Sequence, residues 1–157
     1  MPNTPALLGC GISALYANAA VTPAQRQLAD AVLAAGGPVV WVEDEAALDA
    51  VTALSGGGPA YFFALMEYLE RGGQALGLDA ATARTLTLQT ALGAARMALE
   101  DPRGPGALRA QVTSKAGTTE RAIATFEAGG LAELVASALA AARDRARELG
   151  EQLGEDR

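Results

Sequence analysis

The sequence predicts a mostly α-helical protein that begins with a short α/β segment. Residues typical of strands concentrate in residues 1–43, and apolar residues recur at helical spacing from residue 44 onward. Aromatic residues make up only 4% of the 157 residues, whereas the hydrophobic fraction is 50%. The chain is therefore long enough and apolar enough to fold around a core, and disorder is not expected.

The first segment, residues 1–43, carries the strand signals and one helix. Thr22 and Gln25 fit a capping box with Pro23 at the first helical position, and the glycine pair after Ala35 ends that helix. Residues 38–42 predict a short strand because they are rich in valine and tryptophan, and residues 7–17 supply one or two further extended segments.

Residues 44–150 are predicted to be helical throughout. Asp44 and Asp79 are the expected N-caps of two of these helices. The predicted helices span residues 44–54, 60–76, 79–100, 107–112, 119–128 and 131–149. Within the third helix, spacings of four, three and four predict one buried stripe, formed by Leu88, Leu92, Ala95 and Leu99. Residues 151–157 are a polar tail that is expected to fray.

Composition narrows the classes of function. The net charge of −6 disfavours nucleic acid and anionic membrane surfaces as partners, and no apolar run reaches the ~18 residues of a membrane helix. Cys10 is the only cysteine, which excludes an internal disulfide and favours a cytoplasmic protein. The chain has no histidine, so serine–histidine triads and most zinc sites are excluded and no metal site is predicted.

The predicted helices are rich in alanine and glycine. Side chains this small bury little area, but they let helices approach one another closely. Helical sets of this kind often complete their core across a subunit interface, so we expect a dimer.

Residues 112–119, Val-Thr-Ser-Lys-Ala-Gly-Thr-Thr, form the most informative segment, here called the Ser114 loop. The segment enters a predicted helix, whose first N–H groups have no internal partner and carry partial positive charge. Gly117 allows close approach to the backbone, and Ser114, Thr118 and Thr119 add hydroxyl donors. The pattern predicts a seat for a small carboxylate or phosphate. An ordinary threonine N-cap is the alternative that these residues leave open.

Residues 55–61, Ser-Gly-Gly-Gly-Pro-Ala-Tyr, open another helix and are here called the glycine turn. Three successive glycines indicate close packing, although a tight turn between helices explains them equally well. Residues 9–14 match the loose dinucleotide pattern G-x-G-x-x-A, but no strand precedes them and no helix follows directly, which argues against a cofactor loop. Glu67 is a candidate general acid, and a structural carboxylate is the favoured interpretation.

The glycine turn and the Ser114 loop together resemble a known family. Its pattern is S-G-S-G-P-A-Y followed later by V-x-S-P-G-G-T-T. Residues 1–5, Met-Pro-Asn-Thr-Pro, and residues 93–97, Gly-Ala-Ala-Arg-Met, fit the same family. On these motifs the chain is identified as a member of the pyrroline-5-carboxylate reductases, which carry out the last step of proline biosynthesis. The similarity spans nearly the whole chain.

The resemblance implies a Rossmann cofactor domain followed by a helical dimerisation domain like the C-terminal domain of 6-phosphogluconate dehydrogenase. Residues 1–43 would be the terminal strand and helix of the Rossmann domain, residues 44–150 the dimerisation and substrate-binding domain, and residues 151–157 a frayed tail. The implied reaction transfers a hydride from NADPH or NADH to the C=N carbon of 1-pyrroline-5-carboxylate and gives L-proline. The implied partner is a second copy of the chain, in a homodimer or a ring of dimers.

The resemblance also implies the site residues. Ser114, Gly117, Thr118 and Thr119 match the loop that holds the substrate carboxylate and ring. Thr119 is the implied catalytic residue, through a hydrogen bond to the ring nitrogen, and positioning is expected to dominate because a protonated imine is already electrophilic. The implied residues near the nicotinamide, a weaker match, are Asn3 and Thr4.

Three residues depart from the family pattern. Lys115 stands where the family has proline, Ala116 where it has glycine, and Gly57 where it has serine. Alanine tolerates a positive φ less well than glycine, so a change in loop shape is expected at Ala116. Lys115 is expected to point to water. These departures are expected to affect substrate affinity more than the fold.

The family's glycine-rich cofactor loop is not found in residues 1–43. The chain is therefore expected to be inactive alone and to act only with a cofactor domain. The alternative is a non-enzymatic module, derived from this family, that dimerises or senses proline. A related β-hydroxyacid or 6-phosphogluconate-type dehydrogenase is a third hypothesis, but the only lysine, Lys115, lies in a loop and not in the mid-helix position that those enzymes use.

Overall fold

The computed structural model describes residues 1–155, and Asp156 and Arg157 lie outside the described residues. The described residues form two compact units, one made of residues 1–61 and 135–155 and the other of residues 62–134. The division into segments 1–43, 44–150 and 151–157 stays a prediction. The mostly helical fold with a short α/β beginning is confirmed.

The α/β part is a βαβ unit. Strand β1 (Ser13–Leu15) pairs in parallel with strand β2 (Val39–Trp41), and helix α1 (Pro23–Leu33) connects them. The capping box is confirmed, because the Gln25 backbone N–H donates to the Thr22 hydroxyl at 3.3 Å and Thr22 N–H donates to the Gln25 side chain at 2.8 Å. A 3-10 turn, Ala34–Gly36, ends the helix and leads to β2.

Residues 9–14 run from a 3-10 turn, Thr4–Leu8, directly into β1. The arrangement of strand, loop and helix that a dinucleotide-binding fingerprint needs is therefore missing at this position. Close packing explains the glycine at position 11, because a Cβ there would lie 2.5 Å from the backbone nitrogen of Ala6.

Six further helices follow β2 within the described residues. They are α2 (Ala47–Val51), α3 (Gly58–Ala75), α4 (Ala80–Glu100), α5 (Pro105–Gln111), α6 (Thr118–Ala128) and α7 (Leu131–Glu155). The predicted cap of α4 is confirmed, since Thr82 N–H donates to the Asp79 carboxylate at 3.0 Å. Helix α7 continues to Glu155, six residues beyond the predicted end at Leu149. Residues with good helix propensity, such as Glu151 and Gln152, explain the extension.

The predicted helix over residues 44–54 was wrong at both ends. Asp44 accepts the N–H of Ala46 at 3.0 Å in a local turn, and α2 begins only at Ala47. After Val51 the chain continues as a π-helical turn, Thr52–Gly56. The hydroxyls of Thr52 and Ser55 donate to carbonyls four residues earlier, at 2.7 and 3.0 Å, and so support this turn.

A single copy of the chain buries few side chains. Buried apolar residues are Ala14 and Ala53 in one unit and Ala83 and Leu108 in the other. The predicted burial of the α4 stripe was wrong for the single chain. Its members Leu88, Leu92 and Leu99 are 36%, 49% and 86% exposed, and Ala95 is exposed as well. The periodicity marks an apolar face, and within residues 1–155 that face stays exposed.

Helix α3 also presents large apolar side chains to solvent. Phe62 and Phe63 are 65% and 66% exposed, and Tyr68 is 62% exposed. Exposed aromatic groups on consecutive turns of one helix are typical of a protein–protein interface. Within residues 1–155 no single helix has both the length and the apolar character needed to cross a membrane. The bent pair α6 and α7 meets that test only when the two helices are taken together.

Candidate functional site

The Ser114 loop connects α5 to α6, and its last residues form the beginning of α6. Gly117 is the N-cap, with extended backbone (φ −84°, ψ 171°), and no side chain caps this helix end among the described residues. The threonine N-cap that the sequence left open is therefore wrong, since both Thr118 and Thr119 lie inside the helix. The first N–H groups of α6 keep the unpaired, partly positive character that attracts an anion.

The loop has a tight backbone path. Gly117 N–H donates to the Ser114 carbonyl at 3.0 Å. A Cβ on Gly117 would lie 2.9 Å from that carbonyl oxygen and would overlap the Ser114 hydroxyl. Only glycine fits here without moving Ser114. Ala116 adopts φ +60°, the sole non-glycine residue among residues 1–155 with a positive φ.

The four predicted substrate residues lie together. Ser114, Thr118 and Thr119 are exposed and Gly117 is half-buried. An open depression of about 620 Å³ lies along the start of α6 and is lined by Ala116, Gly117, Thr118, Glu120, Arg121 and Ala124. Gly117 and Thr118 line this depression, whereas Ser114 and Thr119 do not. The exposed Thr118 hydroxyl and the free N–H groups at the start of α6 can bind a small carboxylate from solvent.

Glu120 is a candidate site residue that sequence analysis missed, and it lines the depression at the start of α6. Its carboxylate Oε2 accepts the Ala116 backbone N–H at 2.7 Å. The residue is the only acidic one in the first turn of α6. Its position four residues after Ala116, at the start of a helix, is the signal that could have identified it.

Exposed hydrogen bonds and one ion pair stabilise the segment around α5 that leads into the Ser114 loop. The Thr113 hydroxyl donates to the Arg109 carbonyl at 2.6 Å, at the end of α5. Arg103 contacts the Asp101 carboxylate at 2.6 Å and also donates to the Gln111 side chain at 2.7 Å. Hydrogen bonds from Arg103 lower the pKa of Asp101 below its ordinary value.

Asn3 and Thr4 belong to the other compact unit. Asn3 Oδ1 accepts the Ile12 N–H at 3.0 Å, and Asn3 Nδ2 donates to the Ser55 carbonyl at 3.2 Å. Asn3 therefore ties the start of the chain to the entry of β1 and to the glycine turn. Thr4 is exposed and begins the first 3-10 turn.

The glycine turn has a close contact at one of the family departures. A Cβ on Gly57 would lie 2.6 Å from the Tyr61 hydroxyl oxygen. That hydroxyl donates to the Ala53 carbonyl at 3.0 Å, within the π-helical turn. Glycine at position 57 thus leaves the space in which Tyr61 folds back over the turn.

The remaining candidates lie outside these contacts. Glu67 is 66% exposed and lies 3.9 Å from Arg71, one helical turn away. This geometry fits the structural interpretation and gives no support to a general acid. Lys115 is exposed, as expected, and makes no ion pair within residues 1–155.

Comparison with known proteins gives the family. Residues 45–149 match the family model described as pyrroline-5-carboxylate reductase dimerisation. The chain belongs to this family. A pyrroline-5-carboxylate reductase from Pseudomonas aeruginosa is 57% identical over 155 residues, which are 99% of this chain and 57% of that protein. One from Vibrio alginolyticus is 44% identical over 150 residues, which are 95% of this chain and 55% of that protein.

Solved structures agree. A pyrroline-5-carboxylate reductase from Coxiella burnetii superposes with a TM-score of 0.91 at 49% identity, over 95% of this chain and 55% of that one. A Plasmodium falciparum pyrroline carboxylate reductase, solved with NADP bound, has a TM-score of 0.86 at 28% identity, over 96% of this chain and 61% of that one. This chain spans about half the length of the curated relatives it matches. The family predicted from the glycine turn and the Ser114 loop is confirmed.

Proposed function

We propose that this chain supplies the substrate loop and the dimer interface of a pyrroline-5-carboxylate reductase. The reaction reduces the C=N bond of 1-pyrroline-5-carboxylate to L-proline, with the hydride supplied by bound NADPH or NADH. The observation that carries the proposal is the uncapped start of α6, which follows a loop that matches the family pattern.

The residues of the Ser114 loop have distinct roles in this proposal. The N–H groups at Thr118 and Thr119 and the hydroxyl of Ser114 bind the substrate carboxylate. The Thr119 hydroxyl bonds the ring nitrogen and orients the imine, so that the carbon that receives the hydride faces the cofactor. Glycine at position 117 leaves the Ser114 hydroxyl in place, because a side chain there would collide with it. A residue without a Cβ also lets the carboxylate approach the backbone closely.

The cofactor side of the proposal rests on Asn3 and Thr4. Both polar atoms of Asn3 already bond to other parts of the chain, at Ile12 and Ser55. Asn3 therefore fits the role of shaping the backbone beside the nicotinamide, and Thr4 is exposed for contact.

A homodimer is part of the same proposal. A single copy leaves Phe62, Phe63 and Tyr68 of α3 more than half exposed, and it buries only four apolar side chains among residues 1–155. A second copy would cover such a face, as the family's description as a dimerisation domain suggests. Sedimentation should show a dimer at micromolar concentration, and a folded monomer would refute this part.

The substrate role is tested by titrating the chain with L-proline in a calorimeter. Wild type should bind, and Thr119→Val should bind about tenfold more weakly, because one hydrogen bond to a charged group is lost. Thr125→Val is the matched control: the same change on the same helix, where the hydroxyl donates only to the Arg121 carbonyl. Equal weakening by both variants, or no binding by wild type, would overturn the assignment.

A chimera decides between an enzyme and a proline-sensing module. Residues 1–155 would replace the matching segment of the Pseudomonas aeruginosa relative, and reduction of 1-pyrroline-5-carboxylate would be followed with NADPH and with NADH. Turnover that Thr119→Val reduces supports the reductase. Proline binding by a folded chimera without turnover would favour the non-enzymatic module.

A further inference from the structure

The Ser114 loop holds an alanine in a conformation that alanine disfavours. Ala116 has φ +60°, where the Cβ of an L-residue crowds the following carbonyl. The family pattern carries Pro-Gly at positions 115 and 116, which supplies a rigid φ followed by a residue free to take positive φ. This chain has Lys115 and Ala116 instead, and so it lacks both local devices.

Glu120 supplies a contact that acts on this strained residue. Its Oε2 accepts the Ala116 N–H at 2.7 Å, a short hydrogen bond to a charged acceptor. The bond fixes the direction of the peptide N–H at Ala116, and therefore the backbone rotation on that side of the residue. Gly117, the next residue, is the N-cap that sets the direction of the binding N–H groups.

We propose that Glu120 is a positioning residue, which holds Ala116 in the left-handed region and keeps the Ser114 loop in its binding shape. The inference rests on the proposed function, since the binding shape is the one that accepts a ring carboxylate. It assigns to Glu120 the task that Pro-Gly performs in the family pattern. Glu120 does not itself touch the substrate.

A competing role for Glu120 makes a different prediction. A carboxylate beside the depression that Arg121 also lines would repel a substrate carboxylate, and its removal would tighten binding. Glutamine at position 120 keeps the oxygen acceptor and removes the charge. If Glu120 acts by holding Ala116, Glu120→Gln should bind L-proline nearly as well as wild type. If Glu120 instead repels the substrate carboxylate, Glu120→Gln and Glu120→Ala should both bind L-proline more tightly.

The experiment measures two quantities on the full chain: amide hydrogen exchange at residue 116 by NMR, and the affinity for L-proline by calorimetry. Glu120→Ala should speed exchange at Ala116 by about fivefold and weaken L-proline by a similar factor, as expected for one lost hydrogen bond. Glu120→Gln should retain most of both. Glu133→Ala is the matched control, because Glu133 is the third residue of α7 as Glu120 is of α6.

The substitution Ala116→Gly distinguishes a loss of the hydrogen bond that holds Ala116 from a general loss of structure in Glu120→Ala. Glycine takes positive φ without strain, so Glu120→Ala should cost much less affinity in an Ala116→Gly background. Unchanged exchange at Ala116 in Glu120→Ala, tighter L-proline binding, or no rescue by Ala116→Gly would each overturn the proposal. If wild type fails to bind L-proline, the proposed function falls, while the exchange measurements still decide whether Glu120 holds the loop.

Discussion

The two loops that carry the family pattern are held in different ways. The glycine turn has a long-range anchor in addition to the local bonds of Ser55 and Tyr61, because Asn3 donates to the Ser55 carbonyl across 52 residues of sequence. The Ser114 loop is fixed by its neighbours, since Gly117 bonds to Ser114 and Glu120 bonds to Ala116. The first loop therefore belongs to the packing of its unit, whereas the second is a local device at the start of one helix.

Substitutions in the two loops should therefore affect different properties of the chain. Breaking a long-range contact removes a constraint between segments and should lower the free energy of unfolding. Breaking a contact within five residues should change the shape of a binding loop and leave the rest of the unit folded. Stability and binding measurements can therefore be separated between the two loops.

The largest effect is expected for Asn3→Ala. The change leaves Ile12 N–H and the Ser55 carbonyl without their partner, and each lost hydrogen bond costs about 1 kcal/mol, so the free energy of unfolding should fall by about 2 kcal/mol. Urea unfolding at a fixed protein concentration measures it. Asn18→Ala is the control, because Asn18 accepts only a local, exposed N–H from Ala20. Equal losses in both variants would remove the contrast between the two loops.

The second effect is expected at Gly117→Ala, and it should appear in binding. The added Cβ collides with Ser114, so the loop must open and L-proline affinity should drop about tenfold or more. The free energy of unfolding should change by no more than about 1 kcal/mol, because the backbone at Gly117 is extended and suits alanine. Gly106→Ala in α5, where a Cβ meets nothing within 4 Å, should leave binding unchanged. A large loss of stability in Gly117→Ala with intact binding would contradict the local character of this loop.

The smallest effect is expected for Gly57→Ala in the glycine turn. Position 57 has helical backbone, so alanine should stabilise it by about 0.5–1 kcal/mol, but its Cβ must displace the Tyr61 hydroxyl from the Ala53 carbonyl at a similar cost. The net change should be near zero. In a Tyr61→Phe background the same substitution should stabilise the chain, and urea unfolding of the four proteins gives the coupling. Additive effects would show that Gly57 and Tyr61 do not interact.

Local signals in the sequence were reliable in this chain. The capping box of Thr22 and Gln25 and the Asp79 cap of α4 were both predicted, because each depends on residues three positions apart. The Ser114 loop was recognised from its residue types and its place before a helix. The helix expected from Asp44 was wrong, because Asp44 bonds locally to Ala46 instead of capping a helix, and the chain passes into a π-helical turn after Val51.

Contacts between residues distant in sequence, and the burial of side chains, could not be predicted from the sequence. The stripe of α4 was correctly seen as apolar but wrongly expected to be buried, because periodicity shows which face is apolar and not what covers it. Asn3 was noted only through the family motif, and nothing in its neighbours indicates a bond to Ser55. Glu120 was missed because its contact depends on the positive φ of Ala116, and its place in the first turn of α6 was not connected with that residue.

The sequence alone was enough to predict the helical class, the caps at Thr22 and Asp79, the family and the loop that faces the substrate in the proposed function. These features follow from short-range hydrogen bonding, side-chain shape and residue order, all of which can be read from residues close together in the sequence. Only the tertiary structure decided that Asn3 anchors the glycine turn, that Tyr61 fills the space above Gly57, and that the apolar faces of α3 and α4 stay uncovered in one copy. The Asn3 contact joins residues far apart in sequence, the Tyr61 contact depends on the backbone of a π-helical turn, and exposure depends on how the helices pack. Neighbouring residue types alone specify none of these.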